Sequence, residues 1–134
     1  MSQQTQHGFS LGKDEILRGF EAYKRVFRNS RIAETKYLKL YYQKTDFRLS
    51  PQLMIRVGFT VSKKKLKGAV RRNRIKRLLK EAYRLNKHIL YGKAGIGPMD
   101  MILTVNEKRG FEEMLKNGFR LFSGDIKNIF DKIT

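Results

Sequence analysis

Two histidines, His7 and His88, and twelve scattered carboxylates are the residues of this chain from which a nuclease site, a histidine pair or a metal-holding acid cluster, would have to be built. A protein nuclease needs converging carboxylates around metal ions, or a histidine pair for acid–base work. The adjacent Glu112 and Glu113 sit on a predicted helix, where neighbours point about 100° apart and do not converge. With no cysteine, zinc fingers, iron–sulfur sites, disulfide scaffolds and thiol nucleophiles are excluded. There is no GxxxxGK phosphate cradle. These residues argue against catalysis by the polypeptide itself.

The residues that do form a pattern are cationic. Lys and Arg number 30 against 12 Asp and Glu, a formal net charge of +18 on 134 residues. Between Ser62 and Lys87 twelve basic residues face the single acid Glu81, so this stretch alone carries +11. So concentrated a charge repels itself unless an anion neutralises it, and nucleic acid is the commonest such partner.

Those cations need a scaffold, and 40% apolar residues over this length suffice for one modest core and one domain, 1–134, with a frayed polar tail over 1–12. No run approaches the roughly 18 apolar residues of a membrane span, and no signal-peptide pattern opens the chain, so a cytoplasmic protein is expected. From Lys13 to Asn29 the apolar residues Ile16, Leu17, Phe20, Tyr23 and Phe27 recur at helical spacing. Tyr37 to Gln43 alternates as a strand, with Leu38, Leu40 and Tyr42 on one face and Tyr37, Lys39 and Tyr41 on the other. Ser50-Pro51 marks a turn. Met54 to Val61 is a second strand, with Ile55, Val57, Phe59 and Val61 inward and Arg56, Gly58 and Thr60 outward, expected to pair antiparallel with the first.

A long helix is predicted from about Ala69 to His88, stopped by Gly92, Gly95, Gly97 and Pro98. Met101 to Val105 reads as a buried strand, and Phe111 to Ile133 as a helix interrupted by Gly118 and Gly124. On a wheel of the basic helix, Ile75, Leu78, Leu79, Ala82, Leu85 and Ile89 form the core stripe. Asn73, Lys76, Arg77, Lys80, Arg84 and Lys87 form a cationic ridge away from it. An ordinary solvated face mixes signs to gain i,i+4 pairs, whereas this one stacks like charges. Arg71, Arg72 and Arg74 near the helix start also oppose the helix dipole. A polyanion would compensate both costs. Tyr23 and Phe27, one turn apart, and Tyr37 and Tyr41 could be simple packing, but aromatics beside lysines also make stacking platforms for unpaired bases.

The segment VSKKKLKGAVRRNRIKRLLKEAYR at 61–84 closely resembles the signature of the bacterial ribonuclease P protein subunit. In that family a VSKK strand end leads through a short glycine loop into a helix start A-V-x-R-N-R-I-K-R. Ser62, Lys63, Lys64, Ala69, Val70, Arg72, Asn73, Arg74, Ile75, Lys76 and Arg77 match. YKRVFRNS at 23–30 is similar to the family's F-x-x-V-F-x-x-G first helix, and YLKLYY at 37–42 to its first strand. The loop before Ala69 is one residue longer than the family pattern, and Tyr23 replaces Phe.

The resemblance implies an α+β fold, a small mixed sheet covered by helices in the order α-β-β-(β)-α-β-α, with a left-handed βαβ crossover that the usual right-handed rule would not have supplied. It implies that Arg72, Asn73, Arg74, Lys76, Arg77 and Lys80, with Lys63 and Lys64, contact the catalytic RNA subunit. It implies that Tyr23, Phe27 and Tyr41 line a cleft for the single-stranded 5′ leader of precursor tRNA. Lys39 and Arg56 are added to the cleft from strand-face alternation. The partners implied are ribonuclease P RNA and precursor tRNA, with no dedicated protein partner. No cofactor is expected on the protein, Mg2+ being used by the RNA subunit.

A ribosomal or ribosome-associated protein would share the charge and size, but the RNRIKR context counts against it. A cationic membrane-surface protein would carry Trp or Phe on the face opposite the ridge, where this chain has Ile, Leu and Ala. A helix-turn-helix reader of duplex DNA is the third alternative.

Overall fold

The structure, a computed structural model, describes residues 11–46 and 55–133. The Ser50-Pro51 turn, Met54, His7 and most of the predicted tail lie outside the described residues. Leu11 packs against the core, and the Gly12 N–H donates to Glu15 Oε2 at 3.1 Å.

The elements are a 3-10 turn at Lys13–Glu15, then α1 (Phe20–Asn29), β1 (Arg31–Glu34), β2 (Leu38–Lys44), β3 (Ile55–Phe59), α2 (Ala69–Tyr91), β4 (Met99–Val105) and α3 (Phe111–Asp131). This is the expected α+β order with all three strands present before the basic helix. No helix among the described residues is long and apolar enough to cross a membrane.

The first helix is shorter than its apolar spacing predicts. Gly19 has φ 95°, a conformation that ends helical continuity on its N-terminal side. Ile16 and Leu17 are therefore extended, and the Leu17 N–H donates to the Val57 carbonyl at 2.9 Å, covering the outer edge of β3. Their helical spacing served burial in another form.

The sheet order is β1-β2-β4-β3. The antiparallel pairing expected between β2 and β3 is not formed. The chain leaves β3 through α2 and returns as β4, which inserts between them, antiparallel to β2 and parallel to β3. β4 is buried along its whole length, which its continuous apolar run permits because a central strand is covered on both faces.

One face of the sheet carries Leu38, Leu40, Tyr42, Ile55, Val57, Met99, Met101, Leu103 and Val105, which pack with Ile75, Leu79, Ala82 and Tyr83 of α2 and Met114, Phe122, Ile126 and Phe130 of α3. The other face is covered by α1 through a smaller cluster, Leu17, Val26 and Ile102, flanked by Ala22, Tyr23 and Tyr41. α3 bends at Asn117 (φ −126°, ψ 22°), and its Asp125 carboxylate accepts from the Tyr37 N–H at 2.9 Å and from the Thr35 hydroxyl, fixing the β1–β2 turn.

Candidate nucleic-acid interface

α2 begins at Gly68 (φ 96°) with no side-chain cap and no acid in its first turn. The positive end of its dipole is thus left beside basic residues, which costs some stability and favours an anion at this end. Lys63 and Lys64 are exposed on the preceding turn, which Ser62 Oγ organises by accepting from the Lys64 and Lys65 N–H groups at 3.2 and 3.4 Å. Asn73, Arg77 and Lys80 are exposed and Lys76 is half-buried on the outer side of the helix.

Two arginines of the motif also hold the fold. Arg72 Nη1 donates to the Leu66 carbonyl at 3.0 Å, closing the lysine turn onto the helix. Arg74 Nε donates to the Leu115 carbonyl at 3.0 Å, tying α2 to α3 just before the bend. The predicted ridge is shorter than the wheel suggests. Lys87 is only 5% exposed and its Nζ lies 2.7 Å from Glu15 Oε1, a buried ion pair that pins the N-terminal turn to α2. Arg84 pairs with Glu81 one turn back, and that guanidinium holds the Glu81 carboxyl below its ordinary value. The open part of the ridge runs from Lys63 to Lys80.

On the opposite face of the sheet, Tyr23 and Phe27 of α1 and Tyr41 of β2 lie around the Ile102 cluster, with Tyr23 toward β3 and Phe27 against Tyr41. The Phe27 and Tyr41 rings meet edge to face at a centroid distance of 4.9 Å. Lys39 Nζ stands 5.2 Å from the Tyr41 centroid, and a hydrogen bond to Tyr41 raises the lysine pKa against partial desolvation. The Tyr23 hydroxyl lies directly on Gly58, where a Cβ would come 2.5 Å from Tyr23 Cζ, so β3 needs glycine at this point. Burial raises the Tyr23 pKa, with the Phe59 backbone acting in the opposite sense.

Arg56 does not join the aromatic group. Its Nε and Nη2 donate to Asp100 Oδ1 and Oδ2, both at 2.8 Å, and Arg25 Nη2 donates to the same Oδ2 at 2.8 Å. Gln43 Oε1 accepts from Arg25 Nη1. Asp100 is fully buried. Arg25, Gln43 and Asp100 carry no motif that marks them in the sequence. Their signal was an acid abutting the apolar run of β4, and a charge on the side of α1 that carries Ala22 and Val26.

The family model for ribonuclease P matches residues 11–133. The chain belongs to the ribonuclease P protein-component family. It is 42% identical over 97 residues to the ribonuclease P protein component of Chlorobium phaeobacteroides, covering 71% of this chain and 66% of that protein. To the component of Chlorobaculum tepidum it is 44% identical over 82 residues, covering 60% of this chain and 53% of that protein. The matches thus span less than two thirds of these relatives' own length. The ribonuclease P protein of Thermotoga maritima has the same fold, with a TM-score of 0.66 at 21% identity over 90% of this chain and 98% of that one. The Staphylococcus aureus ribonuclease P protein gives 0.56 at 19% identity, over 87% and 97%.

Proposed function

We propose that this ribonuclease P protein component binds the catalytic RNA of ribonuclease P through the open ridge from Lys63 to Lys80 and the single-stranded 5′ leader of precursor tRNA through the cleft of Tyr23, Phe27, Tyr41 and Lys39. The observation that carries this reading is the separation of the two surfaces. A cationic ridge lies on α2, and an aromatic–lysine platform lies on the sheet face beneath α1. The first suits structured RNA, met through phosphates; the second suits unpaired bases, met through stacking.

RNA and its Mg2+ ions then carry out the cleavage, and the protein screens repulsion between two RNAs and holds the leader. Arg56 and Arg25 act from beneath, by seating α1 on Asp100, so that Arg56 serves the cleft as a positioning residue.

Binding of ribonuclease P RNA tests the ridge. The affinity is expected to fall linearly in a log–log plot against salt, with a slope of about −0.7 to −0.9 per phosphate neutralised. Changing Arg77 and Lys80 to Ala is expected to flatten that slope by one to two phosphate equivalents. An affinity indifferent to salt overturns the electrostatic reading, and equal affinity for duplex DNA would favour a helix-turn-helix-like reader.

A further inference from the structure

Phe20 is the first residue of α1 and is 76% exposed. With Gly19, Tyr23, Lys24 and Phe27 it lines one shallow, largely apolar depression. Positions 20, 23, 24 and 27 fall on one stripe of a helix, turned away from buried Val26. Lys24 Nζ stands 5.1 Å from the Phe20 ring centroid. The same pairing occurs at Tyr41, where Lys39 Nζ stands at 5.2 Å. Two ring-and-ammonium pairs therefore flank Phe27. Tyr41 touches it edge-on, and Phe20 lies two turns earlier, about 10 Å along α1 at 1.5 Å per residue.

We propose that Phe20 and Lys24 form a second nucleotide-binding unit, which stacks one base of the leader on the ring and meets its phosphate with the ammonium. The inference rests on the leader reading of the cleft and lengthens it: the bound segment runs from Tyr41 past Phe27 and Tyr23 to Phe20. Charge complementarity selects RNA as the occupant. An apolar protein partner gains nothing from an ammonium over each ring, whereas a nucleotide offers a π face and an anion together. About 10 Å accommodates roughly three bases at a stacked spacing of about 3.4 Å. Glu21, 4.0 Å from Lys24 in an exposed i,i+3 contact, is too weakly held to keep the ammonium from a phosphate. Stacking on a phenyl ring accepts every base, so the unit adds leader affinity with little sequence preference.

The test uses the complete complex with ribonuclease P RNA and compares affinity for a precursor tRNA bearing its leader with that for the same tRNA lacking it. Phe20→Ala and Phe20→Leu are expected to weaken leader-bearing substrate by roughly 5- to 20-fold, leaving leaderless tRNA unchanged, while Phe20→Tyr stays near wild type. Phe27→Ala is the control for the cleft itself. If Phe27→Ala lowers leader affinity and Phe20→Ala does not, the second unit is overturned and the cleft stands. If neither variant changes the discrimination between the two substrates, the leader reading falls and takes the second unit with it. Full rescue by Leu, or an equal loss with leaderless tRNA, would assign Phe20 to packing and overturn the proposal.

Discussion

Arg25 of α1 and Asp100 of the central strand β4 are joined by a 2.8 Å ion pair that crosses from helix to sheet. Arg56 of β3 completes it from the neighbouring strand with two further bonds to the same carboxylate. Two guanidinium groups on one carboxylate leave a net positive charge beneath α1, and they fix the helix at the distance that opens the aromatic cleft. Changing Asp100 to Ala removes the shared acceptor. Breaking a buried pair costs about 3–5 kcal/mol, and because both arginines reach solvent in part, a loss of about 2–3 kcal/mol is expected in urea unfolding. Affinity for the leader should fall while affinity for ribonuclease P RNA is kept.

Gly58 offers a smaller perturbation of the same cleft. Gly58→Ala places a methyl group against the Tyr23 ring and must displace it. Leader affinity is expected to drop several-fold by equilibrium titration, with the RNA-subunit affinity unchanged. An alanine variant with full leader affinity would remove Tyr23 from the site.

The Glu15–Lys87 pair concerns stability rather than RNA. Lys87→Met leaves the Glu15 carboxylate buried with Tyr91 and the Gly12 N–H as its remaining donors. A cost of about 3–5 kcal/mol is expected, largely recovered when Glu15→Gln is added. Thermal unfolding of the two single variants and the double variant measures this directly. If Lys87→Met instead weakened RNA binding at unchanged stability, Lys87 would belong to the ridge after all.

Alkaline pH should unfold the protein through its tyrosines. Burial raises the Tyr23, Tyr83 and Tyr91 hydroxyls above the ordinary value of 10.0, and Glu15 adds to the effect at Tyr83 and Tyr91. A raised folded pKa means that stability is fully present below the unfolded value and is lost as pH climbs past 10 toward the folded values. The chain has no Trp and six tyrosines, so tyrosinate absorbance near 295 nm follows all six, and the buried ones appear as its late-titrating part. Tyr83 and Tyr91, the most strongly raised, should ionise together with the loss of helical circular dichroism, not before it.

Much of this was legible in the residues. The alternation at Leu38, Leu40 and Tyr42 placed one face of β2 in the core, and Ile75, Leu79 and Ala82 marked the buried side of α2. Phe27, Tyr41 and Lys39 meet on one face of the sheet with Tyr23 one turn before Phe27; the aromatic grouping rests on the family resemblance, since spacing alone reads equally as packing, and Lys39 on strand alternation. What period cannot show is which strand lies beside which: alternation names the inward face of β3 but not that β4 separates it from β2. A wheel likewise puts Lys87 within the ridge without seeing Glu15, 72 residues away, reach it. Asp100 was hidden for the same reason, since its partners come from α1 and β3. β1 has four residues and a single buried side chain, Ala33, too little pattern to read.

Assistance of RNA-catalysed cleavage is the task assigned to the open ridge. Arg72 and Arg74 also bond backbone carbonyls, so Arg77 and Lys80, which are exposed, are the cleaner positions to change. The decisive measurement is cleavage of a leader-bearing precursor tRNA by ribonuclease P RNA at low magnesium, without protein, with wild-type protein, and with Arg77→Ala/Lys80→Ala protein. Rescue by wild type is expected, and at least a tenfold weaker rescue by the double variant at equal concentration. Wild-type protein that binds the RNA yet gives no rescue, or a double variant that rescues fully, would contradict that assignment.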